Sequence, residues 1–581
     1  MAESNIEKIR HSLSHIMAEA VLEFWPKTKL GVGPAVENGF YYDFQLQKPL
    51  EEKDLQEIEK KMRELISQNQ KFEKKNINKR TAKKLFAIQP YKLELIKELP
   101  GDTVSTYASG EFVDLCKGPH IRNTKEINPR AFKLTKIAGA YWKGSEKNKM
   151  LTRIYGLAFE TEKELVDYMA LQEEAAKRDH RILGEKLDLF IFSDIVGKGL
   201  PLFTEKGAAI RRELERLAVD EEIKRGYKHV CTPDLAKVDL YKKSGHYPYY
   251  KDTMYPIMKV DDEQLILRPM TCPHHYQLYL AKPRSYRELP FRIAELAKQF
   301  RYEKSGELTG LIRVRSFCLA DAHIIVQEEN VESEMNKVLD LIDFMANIFG
   351  LKLNIDYRYR LSLGDRKDDK KYYKDDKAWN FAENVLRKVL KDRNAPFFEA
   401  KNEAAFYGPK IDIQMKNFAG KEDTAFTVQY DFVGPKRFDL KFINKEGREE
   451  EAVVIHRSSI GCIERIMAFL IEKYAGAFPL WISPIQVSVI PISEKHLDYA
   501  KKIEEELKNS KVRVELRDEN ETLGKKIRAA EMQKIPYLLI VGDREVEAKT
   551  VGVRARGKGD LGAVKIDEFL NKIKEEITNK K

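Results

Sequence analysis

Apolar residues recur at helical spacing near the start of the chain, between positions 9 and 24. They are Ile9, Leu13, Ile16, Met17, Ala20 and Phe24. This period predicts a helix with one apolar stripe. At about 100° per residue, His11 and His15 then project together from its other face. A charged helical pattern follows from about 51 to 70, and residues 161 to 183 have the pattern of one polar helix.

The middle of the chain and its end differ in pattern. From Leu187 to about Ala475, helical and strand-like segments mix without strict alternation, which indicates an antiparallel or mixed sheet. After the two prolines of "FPLWISP", the apolar strands "IQVSVIP", "VRVEL" and "YLLIVG" are separated by two helical runs. That is the βαβ pattern of a parallel sheet. We therefore expect a multidomain α+β protein with an N-terminal α+β domain (1–160), a linker helix (161–184), an antiparallel-sheet domain (185–477) and a C-terminal α/β domain (478–581).

Composition narrows the class of protein. The 581 residues are 43% hydrophobic and 34% charged, and no run of eighteen apolar residues occurs, so a membrane protein is excluded. The N-terminus lacks the apolar stretch of a signal peptide, and five scattered cysteines fit a reducing compartment, so we expect a cytoplasmic location. A net charge of +11 favours a polyanionic partner such as nucleic acid. An ordinary basic cytosolic protein is the alternative.

Two pairs of metal-binding residue types share one spacing. "RHSLSH" contains His11 and His15, and "DLCKGPH" contains Cys116 and His120. Together they have the ligand count of a four-coordinate zinc site. A glycine and a proline interrupt the second pair, so its approach to the first is not fixed by spacing. From the residues alone, a metal site, a catalytic pocket and an accident of composition all stay open.

A segment in the middle of the chain is suited to nucleotide chemistry, although no Walker loop and no dinucleotide fingerprint occurs. "FRYEKSGELTGLIRVRSF" (300–317) has strand-like ends around a Gly-rich loop with Arg301, Arg313 and Arg315. If the strand continues, Arg301 and Glu303 share a face. A guanidinium binds phosphate with two donors, and a carboxylate accepts from an exocyclic amine. A solvent-exposed Arg-rich hairpin is the alternative.

Several motifs together identify a family resemblance. "GYKHVCTP" (226–233), the 300–317 segment and "GCIERIMAFLIEKY" (461–474) resemble the three signature motifs of class II aminoacyl-tRNA synthetases. "MTCPHH", "ADAHI", "AFYGPKIDI" and "VIHRSSIGCIER" are similar to threonyl-tRNA synthetases and occur in that family's order. The resemblance covers nearly the whole chain. It implies an N-terminal editing domain, a class II antiparallel-sheet catalytic domain and a C-terminal anticodon-binding domain.

The resemblance also implies a reaction and an ATP site. The family joins L-threonine to tRNA(Thr) through threonyl-adenylate, with ATP and its Mg²⁺. By motif position, Arg301 would hold the α-phosphate and Glu303 the adenine amine. Phe317 would stack on adenine, Arg465 would hold the γ-phosphate, and Arg313 would reach the terminal phosphates.

A zinc site is implied in the same way, with one Zn²⁺ per subunit. Cys272, His323 and His456 match the family's ligands, and Asp321 matches a carboxylate that holds the threonine hydroxyl. A site that binds this hydroxyl rejects valine by about 10⁴-fold or more. Serine keeps the hydroxyl, and one missing methyl is worth only about 1–3 kcal/mol. Accurate charging therefore requires a second, hydrolytic filter.

The resemblance assigns that filter to the N-terminal domain. The matching residues are His11, His15, Lys92, Asp114, Cys116 and His120, with Tyr42 as a further neighbour. This pocket is expected to hydrolyse mischarged seryl-tRNA without a metal. Lys92 and one histidine would activate a water and stabilise the leaving 3′ hydroxyl.

The remaining implications concern tRNA and assembly. Asn520, Lys534, Glu545 and Arg554 match anticodon-reading positions, and Lys534 stands where many members have arginine. The family forms homodimers through the first motif, so residues 226–233 are expected at a subunit contact. By the resemblance, the chain is expected to depart from many bacterial members at Leu319, Thr424 and Cys462, and, because His11 comes so early, to lack their N-terminal ubiquitin-like domain. Two alternatives to the ligase are a non-catalytic tRNA-binding paralogue and a protein that is mainly a tRNA-editing hydrolase.

Overall fold

The computed structural model describes residues 4–418 and 420–580. The chain divides into two compact units, one ending at Glu173 and one beginning at Glu174. The boundary falls inside helix α5, Glu162–Arg178. Among the described residues, no helix has the length and apolar character needed to span a bilayer.

The first unit is α+β, as the sequence predicts. Its sheets are a five-stranded one, in the order β1-β3-β8-β7 with β2 beside β3, and a three-stranded one, β4-β5-β6, both antiparallel. The strands are β1 Lys29–Leu30, β2 Ala35–Val36, β3 Gly39–Gln45, β4 Phe72–Asn78, β5 Thr103–Ser109, β6 Phe112–Leu115, β7 Phe132–Tyr141 and β8 Met150–Ala158, and the helices before α5 are α1 Asn5–Phe24, α2 Glu52–Ser67, α3 Lys79–Leu85 and α4 Pro90–Glu98.

Helix α1 is buried on both faces. The predicted apolar stripe packs in one core with α2 and β3, except for Phe24 at the end of the helix, which is 44% exposed. The histidine face is covered as well, because Phe72 of β4 and Phe112 of β6 lie 6.4 and 5.9 Å from the His15 ring. His15 is only 2% exposed. The polar face of this helix therefore lines an interior, which the amphipathic pattern did not predict.

The linker region is two helices. We expected one polar helix over 161–183, but α5 ends at Arg178 and α6 spans His180–Lys186. Between them, the Asp179 carboxylate accepts from the amide of Arg181 and so caps a new helix.

The second unit begins with an eight-stranded sheet. Its order is β11-β15-β16-β23-β20-β19-β17-β18, and only the pairs β11–β15 and β17–β18 are parallel. The strands of this region are β9 Phe190–Ile191, β10 Leu202–Phe203, β11 Lys228–His229, β12 Leu235–Lys237, β13 Met258–Val260, β14 Glu263–Leu267, β15 Phe291–Phe300, β16 Ser316–Val326, β17 Tyr357–Leu363, β18 Phe397–Lys401, β19 Lys410–Lys416, β20 Glu422–Asp431, β21 Lys441–Ile443, β22 Glu449–Glu451 and β23 Val453–Cys462. The predicted mixed sheet is confirmed.

Helices flank this sheet and supply its core. They are α7 Glu205–Lys224, α8 Val238–Ser244, α9 His246–Tyr249, α10 Cys272–Leu280, α11 Val331–Ile348, α12 Asp376–Asp392, α13 Gly434–Phe438 and α14 Ile463–Tyr474. The "GCIER" segment begins in a strand and ends in a helix. Gly461 lies in β23 at φ +70°, and a Cβ there would stand 2.0 Å from the carbonyl oxygen of Ala425. Strand β23 thus runs directly into α14.

The C-terminal module forms a separate five-stranded sheet in the order β25-β24-β26-β27-β28. Its elements are β24 Val487–Pro491, α15 Leu497–Asn509, β25 Val514–Leu516, α16 Leu523–Met532, β26 Tyr537–Val541, α17 Asp543–Ala548, β27 Thr550–Ala555, β28 Gly559–Lys565 and α18 Ile566–Thr578. The three predicted strands are parallel. Strands β27 and β28 add an antiparallel edge that we did not predict. Glycines interrupt both strands, at Gly552 in β27 and at Gly559 and Gly562 in β28, and glycine is depleted in strands.

Candidate functional site

A cavity of about 520 Å³ opens on the eight-stranded sheet. It is lined by all five predicted ATP-binding residues, Arg301, Glu303, Arg313, Phe317 and Arg465. These residues come from the β15–β16 connection, the start of β16 and the first turn of α14. The antiparallel pairing of β15 with β16, and of β16 with β23, is what brings the three sequence segments together.

The cavity concentrates positive charge. The guanidinium of Arg301 lies 5.1 Å from the ring centre of Phe317, and its Nε donates to the carbonyl oxygen of Pro269 at 3.3 Å. Burial, with the Arg465 cation nearby, lowers the pKa of Arg301. Two cations held in a partly enclosed space, beside an aromatic face, suit a polyphosphate with an attached base.

Glu303 and Arg313 are paired at the mouth of this cavity. The Nε of Arg313 is 3.3 Å from a carboxylate oxygen of Glu303, and the Nε of Arg315 donates to the Glu303 carbonyl at 3.0 Å. The strand expected to carry Arg301 and Glu303 ends at Phe300. Both residues lie in the loop that follows, so strand alternation was the wrong reason for a correct placement on one cavity.

The three predicted zinc ligands converge on the same cavity. Cys272 begins α10, while His323 of β16 and His456 of β23 are direct register partners. All three are buried, and their ligand atoms lie within 4.8 Å of one another. Burial, with His456 and His275 nearby, lowers the pKa of His323, so that its ring is in the neutral, ligating form. One sulfur and two nitrogens facing a cavity fit a zinc with an open coordination position.

Asp321 stands beside this ligand set. It precedes His323 by two residues on β16, and both line the cavity. Burial raises the pKa of Asp321. The Nε2 of Gln299 lies 3.4 Å from its carboxylate.

In the first unit, the two histidine and cysteine pairs form one cluster. The ligand atoms of His11, His15, Cys116 and His120 lie within 4.8 Å of one another. The Cys116 sulfur is 3.3 Å from Nε2 of both His11 and His120. Burial raises the pKa of Cys116 to about 11, so the thiol keeps its proton near neutral pH.

The hydrogen bonds of the cluster fix its tautomers. Nδ1 of His11 lies 3.2 Å from the carbonyl oxygen of Pro119 and must donate to it. Nδ1 of His120 lies 3.0 Å from the Ser12 hydroxyl, which already donates to a carbonyl and therefore accepts. In both His11 and His120, the unprotonated Nε2 therefore faces the Cys116 thiol. The thiol has only one proton to donate, so it can bond to only one of them. Burial lowers the pKa of His120 far below its usual value, so Nε2 of His11 is the nitrogen better suited to take a proton from a reactant.

A charged network adjoins the cluster. The Lys92 ammonium contacts Asp114 at 2.5 Å and the Tyr42 hydroxyl at 3.0 Å, and that hydroxyl donates to the second Asp114 oxygen at 2.5 Å. Nε2 of His15 is 3.8 Å from the same carboxylate, while its Nδ1 has no hydrogen-bond partner among the described residues. Lys92 is only 1% exposed. The structure therefore brings together all six residues predicted here, with Tyr42 as their hydrogen-bonded neighbour.

The four predicted anticodon residues are only partly grouped. Lys534 and Arg554 line one surface cavity of about 470 Å³, whereas Asn520 and Glu545 do not. Glu545 caps α17 by accepting from the amide of Gly542 at 2.9 Å.

Comparison with known proteins gives the family. A threonine–tRNA ligase of Staphylococcus carnosus (strain TM300) is 48% identical over 583 aligned residues, which cover 100% of this chain and 89% of the relative. The chain belongs to the threonine–tRNA ligase family. A threonine–tRNA ligase of Geobacillus sp. (strain WCH70) is also 48% identical, with 98% of this chain and 89% of the relative covered.

Family models and a solved structure agree with this placement. Residues 255–474 match the tRNA synthetase class II core domain (G, H, P, S and T), residues 486–576 match the anticodon binding domain, and residues 104–155 match the threonyl and alanyl tRNA synthetase second additional domain. The crystal structure of the RNA binding domain of a threonyl-tRNA synthetase from Cryptosporidium parvum Iowa II superposes with a TM-score of 0.65 at 34% identity, covering 68% of this chain and 98% of that one.

The sequence analysis assigned no role to one residue beside the candidate zinc ligands. This residue is His275, which lies three positions after Cys272. Its Nδ1 is 2.7 Å from Nδ1 of His323, and its Nε2 is 3.2 Å from the Glu295 carboxylate. The "CPHH" motif signals the chemistry of His275, but only the fold shows these partners.

The hydrogen-bond partners of His275 determine which ring nitrogen of His323 is free to bind a metal. Burial alone would raise the pKa of Glu295, but the hydrogen bonds from His275 and Thr232 lower it to about 2. An ionised carboxylate only accepts, so His275 donates from Nε2 and accepts at Nδ1 from His323. This leaves Nε2 of His323 as the lone pair for a metal, the usual arrangement behind a ligating histidine.

Replacing His275 by alanine should therefore lower zinc affinity by about 10- to 100-fold. His275→Asn keeps an acceptor where Nδ1 stands and should retain most of that affinity. His274→Ala is the matched control, because His274 is buried beside it but neither of its ring nitrogens bonds to His323. The measurement is the metal retained after dialysis against graded concentrations of chelator, and equal retention by wild type and His275→Ala would contradict the assignment.

The three positions at which we expected departures from bacterial relatives lie at the cavity wall. Leu319 and Cys462 are register partners that both line it. Thr424 also lines it, and its hydroxyl contacts Nε2 of Gln414 at 2.6 Å. These three residues form part of the cavity wall, and none of them is one of the predicted phosphate-binding arginines or zinc ligands.

Proposed function

We propose that this chain ligates L-threonine to tRNA(Thr) through threonyl-adenylate, and that its N-terminal unit hydrolyses mischarged Ser-tRNA(Thr). The observation that carries the first part is the single cavity in which the donors Cys272, His323 and His456 adjoin the arginines suited to a triphosphate. Membership in the threonine–tRNA ligase family supports both parts.

Activation joins the threonine carboxylate to the α-phosphorus of ATP, and pyrophosphate leaves. Arg301 binds the α-phosphate and Arg465 the γ-phosphate, while Glu303 accepts from the adenine amine and Phe317 stacks on the base. Arg313 binds the terminal phosphates, and Mg²⁺ enters with ATP. These arginines stabilise the negative charge that develops on the phosphates during the reaction, and the site holds the threonine carboxylate in line with the α-phosphorus. Catalysis by this means needs no nucleophile from the enzyme.

The amino acid is selected by its hydroxyl. When bound at Cys272, His323 and His456, Zn²⁺ supplies a Lewis acid for the amino and hydroxyl groups of threonine. Asp321 accepts a hydrogen bond from that hydroxyl, and the buried carboxylate is left without it when valine enters. In the second step the terminal ribose hydroxyl of tRNA attacks the adenylate carbonyl, and AMP leaves.

Serine satisfies both polar requirements and has to be removed afterwards. In the N-terminal cluster, a histidine Nε2 beside Cys116 takes the proton of a water that attacks the seryl ester. Lys92, held by Asp114 and Tyr42, stabilises the leaving 3′ hydroxyl. The protonated Cys116 thiol argues against a thiolate nucleophile and for direct attack by water.

Two further parts of the proposal concern assembly and tRNA. Residues 226–233 belong to a first motif that forms the subunit contact of a homodimer. Anticodon bases are read by the C-terminal module, where Lys534 and Arg554 share a cavity and Asn520 and Glu545 act from neighbouring loops and helices. Single-stranded bases are recognised by stacking and edge hydrogen bonds, which these residue types supply.

The decisive experiment measures amino-acid-dependent pyrophosphate exchange with threonine, serine and valine, together with zinc content. Threonine and serine should both support exchange and valine should not, with one zinc per chain. A non-catalytic paralogue predicts no exchange with any amino acid. A protein that is mainly an editing hydrolase predicts hydrolysis of Ser-tRNA(Thr) without exchange.

A further inference from the structure

His180 is a buried histidine that the proposed mechanism does not use. It is the first residue of α6 and is 2% exposed. Its Nδ1 is 2.7 Å from a carboxylate oxygen of Glu472, and the backbone amide of Leu311 lies 3.1 Å from its Nε2. Glu472 belongs to α14, while Leu311 belongs to the loop that carries Arg313.

These two contacts fix the tautomer of His180. The Leu311 amide can only donate, so Nε2 accepts and the ring proton is on Nδ1, where it is donated to Glu472. A metal shared with Glu472 and Asp179 would bind Nδ1 of His180 and so displace the ring proton to Nε2. There it would point at the amide proton of Leu311, and the hydrogen bond to that amide would be lost. The cluster therefore works as a hydrogen-bond relay from α14 to the loop and not as a metal site.

The loop is shaped to accept this contact. Gly310 precedes Leu311 and has φ +46°. A Cβ at this position would lie 2.1 Å from Nε2 of His180. The close approach of loop and imidazole thus depends on glycine at this position.

Helix α14 holds two consecutive loop residues at once. Nε of Arg465 donates to the carbonyl oxygen of Ile312 at 3.0 Å. Glu472, seven residues later on the same face of the helix, holds the His180 that accepts from Leu311. The residue that follows this fixed pair is Arg313.

We propose that His180 is a positioning residue for adenylate formation, which sets the loop so that Arg313 reaches the terminal phosphates of ATP. This inference rests on the proposed ligase function. It assigns to the linker segment an indirect part in ATP binding. The hydrogen bonds run from Glu472 through the imidazole to the Leu311 amide, and His180 itself does not contact the nucleotide.

Two substitutions separate the two hydrogen bonds. His180→Asn keeps a donor at the δ position for Glu472 but has no acceptor for Leu311. His180→Gln keeps an acceptor at the ε position but leaves the Glu472 carboxylate unpaired. Both should lower the melting temperature, since each leaves one buried group unsatisfied. Only His180→Asn should raise KM for ATP in threonine-dependent exchange, by about five- to tenfold, with KM for threonine unchanged.

His496→Asn is the matched control, because His496 is also buried and contacts a carboxylate, Asp543, in the C-terminal module. It should leave KM for ATP unchanged. Equal KM values for ATP in both His180 variants, or a wild-type value in His180→Asn, would overturn the proposal. Absence of threonine-dependent exchange in the wild type would instead refute the ligase function. In that case, calorimetric titration with Mg²⁺–ATP would still compare the ATP affinities of the variants.

Discussion

Replacing Cys272 by alanine is expected to remove the bound zinc and to abolish threonine-dependent pyrophosphate exchange. Cys272 supplies the sulfur of the ligand set, and the two remaining histidines are too few for a stable zinc site. Without the metal the amino acid loses the group that recognises its hydroxyl. We expect exchange to fall by about 10³-fold or more, the scale on which hydroxyl-binding sites discriminate.

The measurement combines zinc content, exchange and direct ATP binding on the same preparation. ATP binding should survive, because the five residues assigned to the nucleotide do not include Cys272. Cys318→Ala is the matched control: this cysteine is also buried and lies on the same strand as His323, but it does not line the cavity. A Cys272→Ala protein that lacks zinc and still exchanges at the wild-type rate would end the zinc assignment.

How far the fold could be predicted depends on the strength of each local pattern. Helix α1 and the three parallel C-terminal strands have strong periodicity and were predicted correctly. The break at Asp179 was missed because one capping carboxylate interrupts an otherwise continuous polar pattern. Strands β27 and β28 were missed because their glycines weaken the local strand pattern, and the pairing of β27 with β26 and of β28 with β27 is what makes them strands.

The residues of the candidate sites likewise divide into those that a local sequence pattern predicts and those that only the resemblance or the fold brings together. Cys272, His323 and His456 are 51 and 133 positions apart, and no local spacing joins them. The resemblance supplied the set, and the pairing of β16 with β23 brings two of the three into register. The role of His275 depends on a chain of tautomers through Glu295, which no motif encodes. A local pattern did find the histidine and cysteine pairs, but their chemistry depends on Lys92 and Asp114 from other elements.

The second large effect is expected in editing. Changing His11 and His15 together to alanine should leave threonine charging at the wild-type rate and let Ser-tRNA(Thr) accumulate. The double change removes one basic nitrogen beside Cys116 and the ring next to Asp114. Burial, with His11 and Lys92 nearby, lowers the pKa of His15 well below its usual value, so this ring is neutral at physiological pH and serves as a positioning group beside Asp114, not as the stronger base. Loss of general-base and positioning groups predicts a decrease in Ser-tRNA(Thr) hydrolysis of about 10²- to 10⁴-fold.

The test measures hydrolysis of pre-formed Ser-tRNA(Thr) and the charging of tRNA with threonine in parallel. Exchange with serine should be unchanged, since activation uses residues of the second unit, and only the clearance of the product should fail. Glu23→Gln is the control on the same helix, because Glu23 is exposed and lies outside the cluster. Undiminished clearance of serine by the double variant would exclude the cluster as the hydrolytic site. A decrease in hydrolysis rescued by added Zn²⁺ is not expected, because general-base attack by water requires the protein's nitrogen and not a cation.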